Sequence, residues 1–134
     1  MEKSLQQLNL YGTDYQKLKV QFFEFTKTLD QLTKQIPSLS KHRELQNHDE
    51  EIYIRFLGKS YVIRLEYDTQ VINGSRGLLV SYLVNPLNNF KDLEEVNRVV
   101  INDLGNAKTS DHTNGYPWSI NSDGDILLLT LLNL

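Results

Sequence analysis

Cysteine is absent from this 134-residue chain, which excludes a disulfide framework, a thiolate zinc site and a cysteine nucleophile, and fits a reducing compartment. No apolar run approaches the length needed to span a bilayer, and the start MEKSLQQLNL carries no apolar signal-peptide core behind its charges. A cytoplasmic protein without membrane contact is therefore expected. The patterns G-x-x-x-x-G-K-[ST], G-x-G-x-x-G and G-x-S-x-G are missing too, which removes the easily recognised phosphate-loop and serine-hydrolase classes.

Little else suggests catalysis. The histidines His42, His48 and His112 lie in polar stretches and not at helical i, i+4 spacing, so solvated loops explain them better than metal ligation. Asp111-His112 could be a base and its orienter, but adjacent side chains in a loop rarely make that contact. Asn121 to Asp125 opens like a calcium loop yet lacks the closing Glu, and a hairpin turn accounts for it. The sequence predicts no metal, no cofactor and no enzymatic activity.

Charge is modest in total and uneven in distribution. The net value is −3, with Met1 to His48 at +2 and Asp49 to Leu134 at −5. An acidic second part lacks the basic stripe that a phosphate-backbone binder needs, so nucleic acid is disfavoured and a basic protein partner is easier to accommodate.

The strongest pattern present is helical. Tyr15, Leu18, Phe22, Phe25, Leu29, Leu32 and Ile36 recur in alternating steps of three and four, Thr13 with Gln16 resembles a capping box, and Pro37 follows the last turn. Gly12 is expected to interrupt the helix, leaving residues 1–12 as a flexible N-terminal arm. The stripe suits packing along a sheet, and it would also suit a coiled-coil seam. Val20 and Phe23 fall nearly opposite it and should be exposed unless something covers them.

Beyond the polar stretch Lys41 to His48 the period changes to two. A Gly58-Lys59 turn would pair Phe56 with Tyr61, Ile54 with Ile63 and Ile52 with Leu65. An Asn73-Gly74 turn would pair Tyr67 with Val80, Leu65 with Tyr82 and Ile63 with Val84. Both counts choose the same core face, and the other face then carries Tyr53, Arg55, Val62, Arg64, Glu66, Leu79, Ser81 and Leu83. From Asn89 a second helix is expected with Leu93, Val96, Val100 and Leu104 inward, Asp92, Glu94 and Glu95 near its start, and Gly105 at its end. A loop over 106–115 and a hairpin of Tyr116–Asn121 with Ile126–Leu132 complete the chain. The predicted fold class is α+β, a single domain over 1–134 with a long amphipathic helix on an antiparallel sheet of about five strands, in the order α-β-β-β-α-β-β.

In Leu93 to Leu132, a predicted helix containing EVNRVV leads through a polar, Gly-containing loop to GYPWSINSDGDILLLTLL. That stretch resembles the class I, single-effector secretion chaperones of bacterial type III systems, with element order alone agreeing elsewhere and no invariant motif matched. The family normally continues into another helix after its last strand, whereas this sequence ends at Leu134, and its first helix is longer than usual. The resemblance implies a non-enzymatic homodimer that binds an extended segment of another protein along helix and sheet surfaces.

The candidate partner-binding residues are Val20 and Phe23 on the helix and Tyr53, Arg55, Arg64, Glu66 and Leu83 on the sheet. Arginine beside tyrosine is a common interface composition, although cross-strand packing with a charge pair to Glu66 is the simpler explanation. Trp118, after Pro117, is better read as packing than as a ligand platform. The expected function is a protein-binding module that masks or neutralises a partner, a secreted effector or toxin, in the manner of a secretion chaperone or an immunity protein. The alternative is a sensor or enzyme for a small ligand or anion, using Arg55, Arg64 and Glu66 as a polar pocket.

Overall fold

The helical stripe does fold as a helix, but it begins earlier than the capping pattern suggests. In the computed structural model, which describes residues 2–41, 50–72, 75–85, 87, 92–109 and 115–134, helix α1 spans Glu2–Gln35 and passes through Gly12 without a break. Leu18, Phe22, Phe25 and Leu29 are buried along its length, and the helix stops ahead of Pro37, which cannot continue it. This stripe is used for the core, not for a coiled-coil seam. Strands β1 (Leu39–Lys41), β2 (Glu51–Phe56), β3 (Lys59–Ile72) and β4 (Ser75–Val84) follow, then β5 (Leu93–Ile101), β6 (Asn106–Lys108) and β7 (Trp118–Ser119), and helix α2 (Gly124–Leu131) closes the order.

All strands join one curled antiparallel sheet in sequence order, β1 to β7, with both helices on its inner face. The expected order α-β-β-β-α-β-β and its sheet of about five strands are thereby overturned. Among the described residues the sheet has seven strands, β1 and β6 (the latter in the expected loop 106–115) have no predicted counterpart, and two predicted elements change type. Leu93 to Ile101 is a strand and not a helix: Val99, Val100 and Ile101 are β-branched and fill a strand position readily, and they alternate between faces, with Val99 and Ile101 in the inner core and Val100 in the outer cluster. The i, i+3, i+4 spacing of Leu93, Val96, Val100 and Leu104 was coincidental, and Leu104 is exposed. Gly105 serves a tight β5–β6 turn instead of a helix end, donating its N–H to Asn102 O at 3.2 Å, while Asn102 Oδ1 accepts from Leu104 N and Asn106 N. The last predicted strand is helix α2, in which Leu127, Leu128 and Leu131 are buried at i, i+1, i+4 spacing. Leucine is a strong helix former, and the lack of alternation in ILLLTLL reflected a half-buried helix.

The hairpin registers also differ. Leu57 and Gly58 form the β2–β3 turn with φ of 52° and 78°, the pair of positive values of a type I′ turn. Ile54 therefore faces Tyr61, Ile52 faces Ile63, Tyr53 faces Val62 and Glu51 faces Arg64. The slip is of two residues, so every side chain keeps its expected face.

In β3–β4 the slip is odd. Ile72 pairs with Ser75, as a turn at Asn73-Gly74 requires, although those two residues lie outside the described residues. Between Tyr67 and Ile72 the register shifts, residues 68–71 of β3 standing against Arg76 alone. Beyond the irregularity Tyr67 meets Gly77, Leu65 meets Leu79 and Ile63 meets Ser81. Leu79, Ser81 and Leu83 thus belong to the inner face and Leu78, Val80, Tyr82 and Val84 to the outer one, the reverse of the expectation. Asn89, the expected helix cap, and the three histidines with Asp111-His112 also lie outside the described residues.

Two local features dock α2. A Cβ at Gly124 would collide with Thr28 Cγ2, so glycine at this point lets α2 start directly against α1. At the other end the buried Ser81 hydroxyl donates to Leu131 O and Asn97 Nδ2 donates to Thr130 O at 2.8 Å, supplying partners to helix-end carbonyls that have none within the helix. No helix among the described residues is long and apolar enough to cross a membrane.

Candidate functional site

The meander brings the β2–β3 turn and the β4–β5 connection to the same end of the sheet. There the pairs Arg55–Ser60, Ser60–Val84 and Val84–Leu93 form one level across four strands. An open groove of about 580 Å³ lies at this level, lined by Arg55, Lys59, Leu83, Val84, Asp92, Leu93 and Glu94 among others. Strand order polarises it. The two cations come from β2 and the start of β3, the two carboxylates from residues at the start of β5, and Leu83, Val84 and Leu93 supply apolar surface between them. Three inter-strand spacings are about 14 Å, the length of roughly four residues of extended chain. Exposed Leu57 stands at the β2–β3 turn and exposed Leu87 in the β4–β5 connection.

Of the candidates read from sequence, Arg55 and Leu83 line this groove. Arg64 and Glu66 do not. They belong to the outer face of the sheet, joined by a residue that the expected register had put on the wrong side, Tyr82. Arg64 Nε lies 3.2 Å from Glu51 Oε1, its guanidinium stacks 5.3 Å from the Tyr82 ring centroid, and the Tyr82 hydroxyl donates to Glu66. Tyr53 OH donates to the other Glu51 oxygen at 3.1 Å. Beside them Arg98 holds Glu95 in a two-pronged pair, one bond being Nε to Oε2 at 3.0 Å. Beneath these polar groups Val62, Leu78, Val80 and Val100 are buried. Leu83 is on the inner face, half-buried against the main core, and so is not a neighbour of Arg64.

Val20 and Phe23 are exposed on α1 and do not line the groove that Arg55 and Leu83 border. Lys27 Nζ sits 4.7 Å above the Phe23 ring, and Val20 and Phe23 border a second open groove with Gln16, Lys19, Thr26, Asp30 and Lys41. The ion pairs Lys41–Asp30 at 2.8 Å and Lys19–Glu50 at 3.5 Å fix its charged side.

A further cluster went unseen in the sequence. Tyr67 OH donates to Asp14 Oδ2 at 2.9 Å, Arg76 approaches the same carboxylate at 3.7 Å and lies over the Tyr11 ring, and Tyr11 and Tyr15 meet Tyr67 edge-on at 6.1 and 5.9 Å. The i, i+4 pair Tyr11 and Tyr15 was its one local signal. This group ties the N-terminal half of α1 to the irregular part of β3. Lys108, almost wholly buried, rests its ammonium 4.2 Å over Tyr116.

Proton affinities follow these contacts. Burial, then hydrogen bonding to Asp14 and its charge, pushes the Tyr67 phenol up to about 12, and burial with Glu66 does the same for Tyr82. Burial raises Tyr15, Tyr53 and Tyr116 as well. The hydrogen bond from Arg98 lowers Glu95, and the same bond raises Arg98. Each of these shifts moves a group away from neutrality, so none supplies an acid or base poised for work near pH 7. Among the described residues no group of three or more His, Asp or Glu side chains is arranged to hold a metal ion.

No protein-family model, curated protein or solved structure matches the chain. The site's own geometry carries the functional reading. Among its described residues, the segment 93–132, on which the likeness to secretion chaperones rested, holds a long strand, two short strands and a helix.

Proposed function

We propose that this chain is a non-enzymatic protein-binding module that seats a short extended segment of another protein in the groove across the ends of β2 to β5. The observation that carries the reading is the groove's polarity: Arg55 and Lys59 at one end, Asp92 and Glu94 at the other, and apolar side chains between. An extended segment with an acidic residue, one or two apolar residues and then a basic residue matches both the charge order and the length. By covering such a segment the module would mask or neutralise its partner in the cytoplasm, as a secretion chaperone or a toxin-immunity protein does. The competing reading, a polar pocket for a small anion made by Arg55, Arg64 and Glu66, is less well supported, because Arg64 and Glu66 are engaged with Glu51 and Tyr82 on the outer face.

Selection from a random peptide display library tests the proposal. Enriched peptides should share the acidic–apolar–basic order, and Lys59→Glu or Arg55→Glu should weaken them at least about tenfold, the loss expected when a rim cation becomes a like charge. Enrichment of peptides indifferent to both substitutions would overturn the groove. A rise in melting temperature with small anions, abolished by Arg64→Gln, would favour the competing reading instead.

A further inference from the structure

The outward flank of α1 has a symmetry that its core stripe does not. Leu5 and Phe23 are 62% and 59% exposed, and Leu8 and Val20 are 68% and 57% exposed. Eighteen residues make about five helical turns, so Leu5 and Phe23 share one azimuth. At about 100° per residue, Leu8 and Val20 flank that azimuth at equal angles on opposite sides, and Gly12 and Gln16 do so more closely. Along the chain these pairs are centred on position 14, although the Asp14 side chain itself leaves the opposite side of the helix, toward Tyr67 and Arg76. A line of residues equivalent to itself on reversal is self-complementary, the condition for an isologous two-fold contact. Two features open this flank to a neighbour. The side chains of Lys3 to Leu10 are exposed, so that part of α1 is not covered by the sheet, and a Cβ built at Gly12 would meet nothing within 4 Å.

We propose that a second copy of this chain packs here, the two α1 helices running antiparallel about a two-fold axis that passes between Gly12 and Gln16, on the side of the helix opposite the Asp14 side chain. Leu5 of each copy then meets Phe23 of the other, Leu8 and Val20 cover the flanks, and Gly12 lies next to Gln16 at the crossing, where the missing side chain allows close approach. The charged ends of the binding groove belong to β2, β3 and β5 and stay free in such a dimer, so this contact is independent of the groove reading. One helix pair buries on the order of 1,000 Å² in total, the low end for a specific interface, so the dimer should form in the micromolar range and not tighter.

The absence of cysteine makes the test direct. Leu5→Cys and Phe23→Cys variants, each carrying one thiol, are treated with a short bismaleimide either alone or as an equimolar mixture, at about 100 µM. The antiparallel arrangement predicts a covalent dimer in the mixture and essentially none in either variant alone, since like positions of the two copies are about 27 Å apart along the helix. Cross-linking of either variant by itself would indicate a parallel or different packing and overturn the proposal, as would no cross-linking in any sample. Sedimentation equilibrium of the unmodified chain should show a reversible dimer weakened at least tenfold by Phe23→Asp. Both altered side chains are exposed, and an unchanged circular dichroism spectrum confirms that the variants fold. A wild-type chain that is monomeric at several hundred micromolar would also refute it.

Discussion

The two faces of the sheet bury apolar residues by different means. On the inner face, Ile52, Ile54, Ile63, Leu79, Val99 and Ile101 meet Phe22, Phe25 and Leu29 of α1 and Leu127 and Leu131 of α2, so large side chains interdigitate across a layer. On the outer face the buried residues are fewer, Val62, Leu78, Val80, Val84 and Val100, with Tyr82 packed against the cluster of Leu78, Val80 and Val100 and the ion pairs Arg64–Glu51 and Arg98–Glu95 nearby. The comparison teaches that burial alone does not mark the stabilising core. A side chain held by many large neighbours leaves a cavity when truncated, whereas a small one beside flexible side chains lets them close over the gap.

Truncation separates the two faces most strongly. Phe25→Ala should cost about 3–5 kcal/mol in chemical denaturation, while Val80→Ala, equally buried, should cost about 1.5 kcal/mol, close to the transfer value of the lost methyl groups. Equal losses at the two sites would mean that the outer cluster is a second rigid core, and the distinction drawn here would fail.

A smaller effect is expected where the inner face holds α2 by polar contacts. Ser81→Ala removes the hydroxyl that donates to Leu131 O and should cost about 1 kcal/mol. Hydrogen exchange should show the loss concentrated in α2. Arg64→Ala on the outer face should cost less than about 1 kcal/mol, because its pair with Glu51 is partly open to solvent.

The subtlest difference is one of pH. Tyr67, beside Asp14, and Tyr82, beside Glu66, both have phenol pKa values raised from 10.0 to about 12. The folded state holds these protons more tightly than the unfolded state, so the stabilisation is fully present below pH 10 and is lost as pH rises toward 12. The Tyr67→Phe/Tyr82→Phe double variant should therefore lose less stability between pH 10 and 12 than the parent chain, measured as the urea midpoint at each pH. Parallel curves would show that neither phenol is coupled to folding. Each single variant then assigns the share of the Tyr67 cluster and of the outer face.

Local pattern made part of this legible. The steps of three and four from Tyr15 to Leu32 identified the buried stripe of α1, and the alternation in Ile52–Phe56 and Tyr61–Leu65 identified which side chains of β2 and β3 turn inward. Val20 and Phe23 were correctly expected on the exposed side of the helix. Leu93 to Leu104 misled because four apolar residues matched a helical period, and in a strand paired on both sides tertiary contacts outweigh that weak local preference. The groove was half visible, through Arg55 and Leu83. Lys59 was read only as a turn residue and Asp92 and Glu94 only as the start of a helix, because only sheet order brings the β2–β3 turn beside the start of β5.

By itself, then, the sequence determined the α+β class, the core stripe of the first helix and the absence of cysteine chemistry, since each depends on residue type and on spacing within one segment. Tertiary structure alone decided the face of β4, the conversion of one predicted helix to a strand and of one predicted strand to a helix, and the polarity of the groove. The register irregularity between Tyr67 and Ile72 shows why: an odd offset inside a hairpin reverses the faces of every residue beyond it, and the offset is set by which partners pack well together across the sheet, not by any residue read alone.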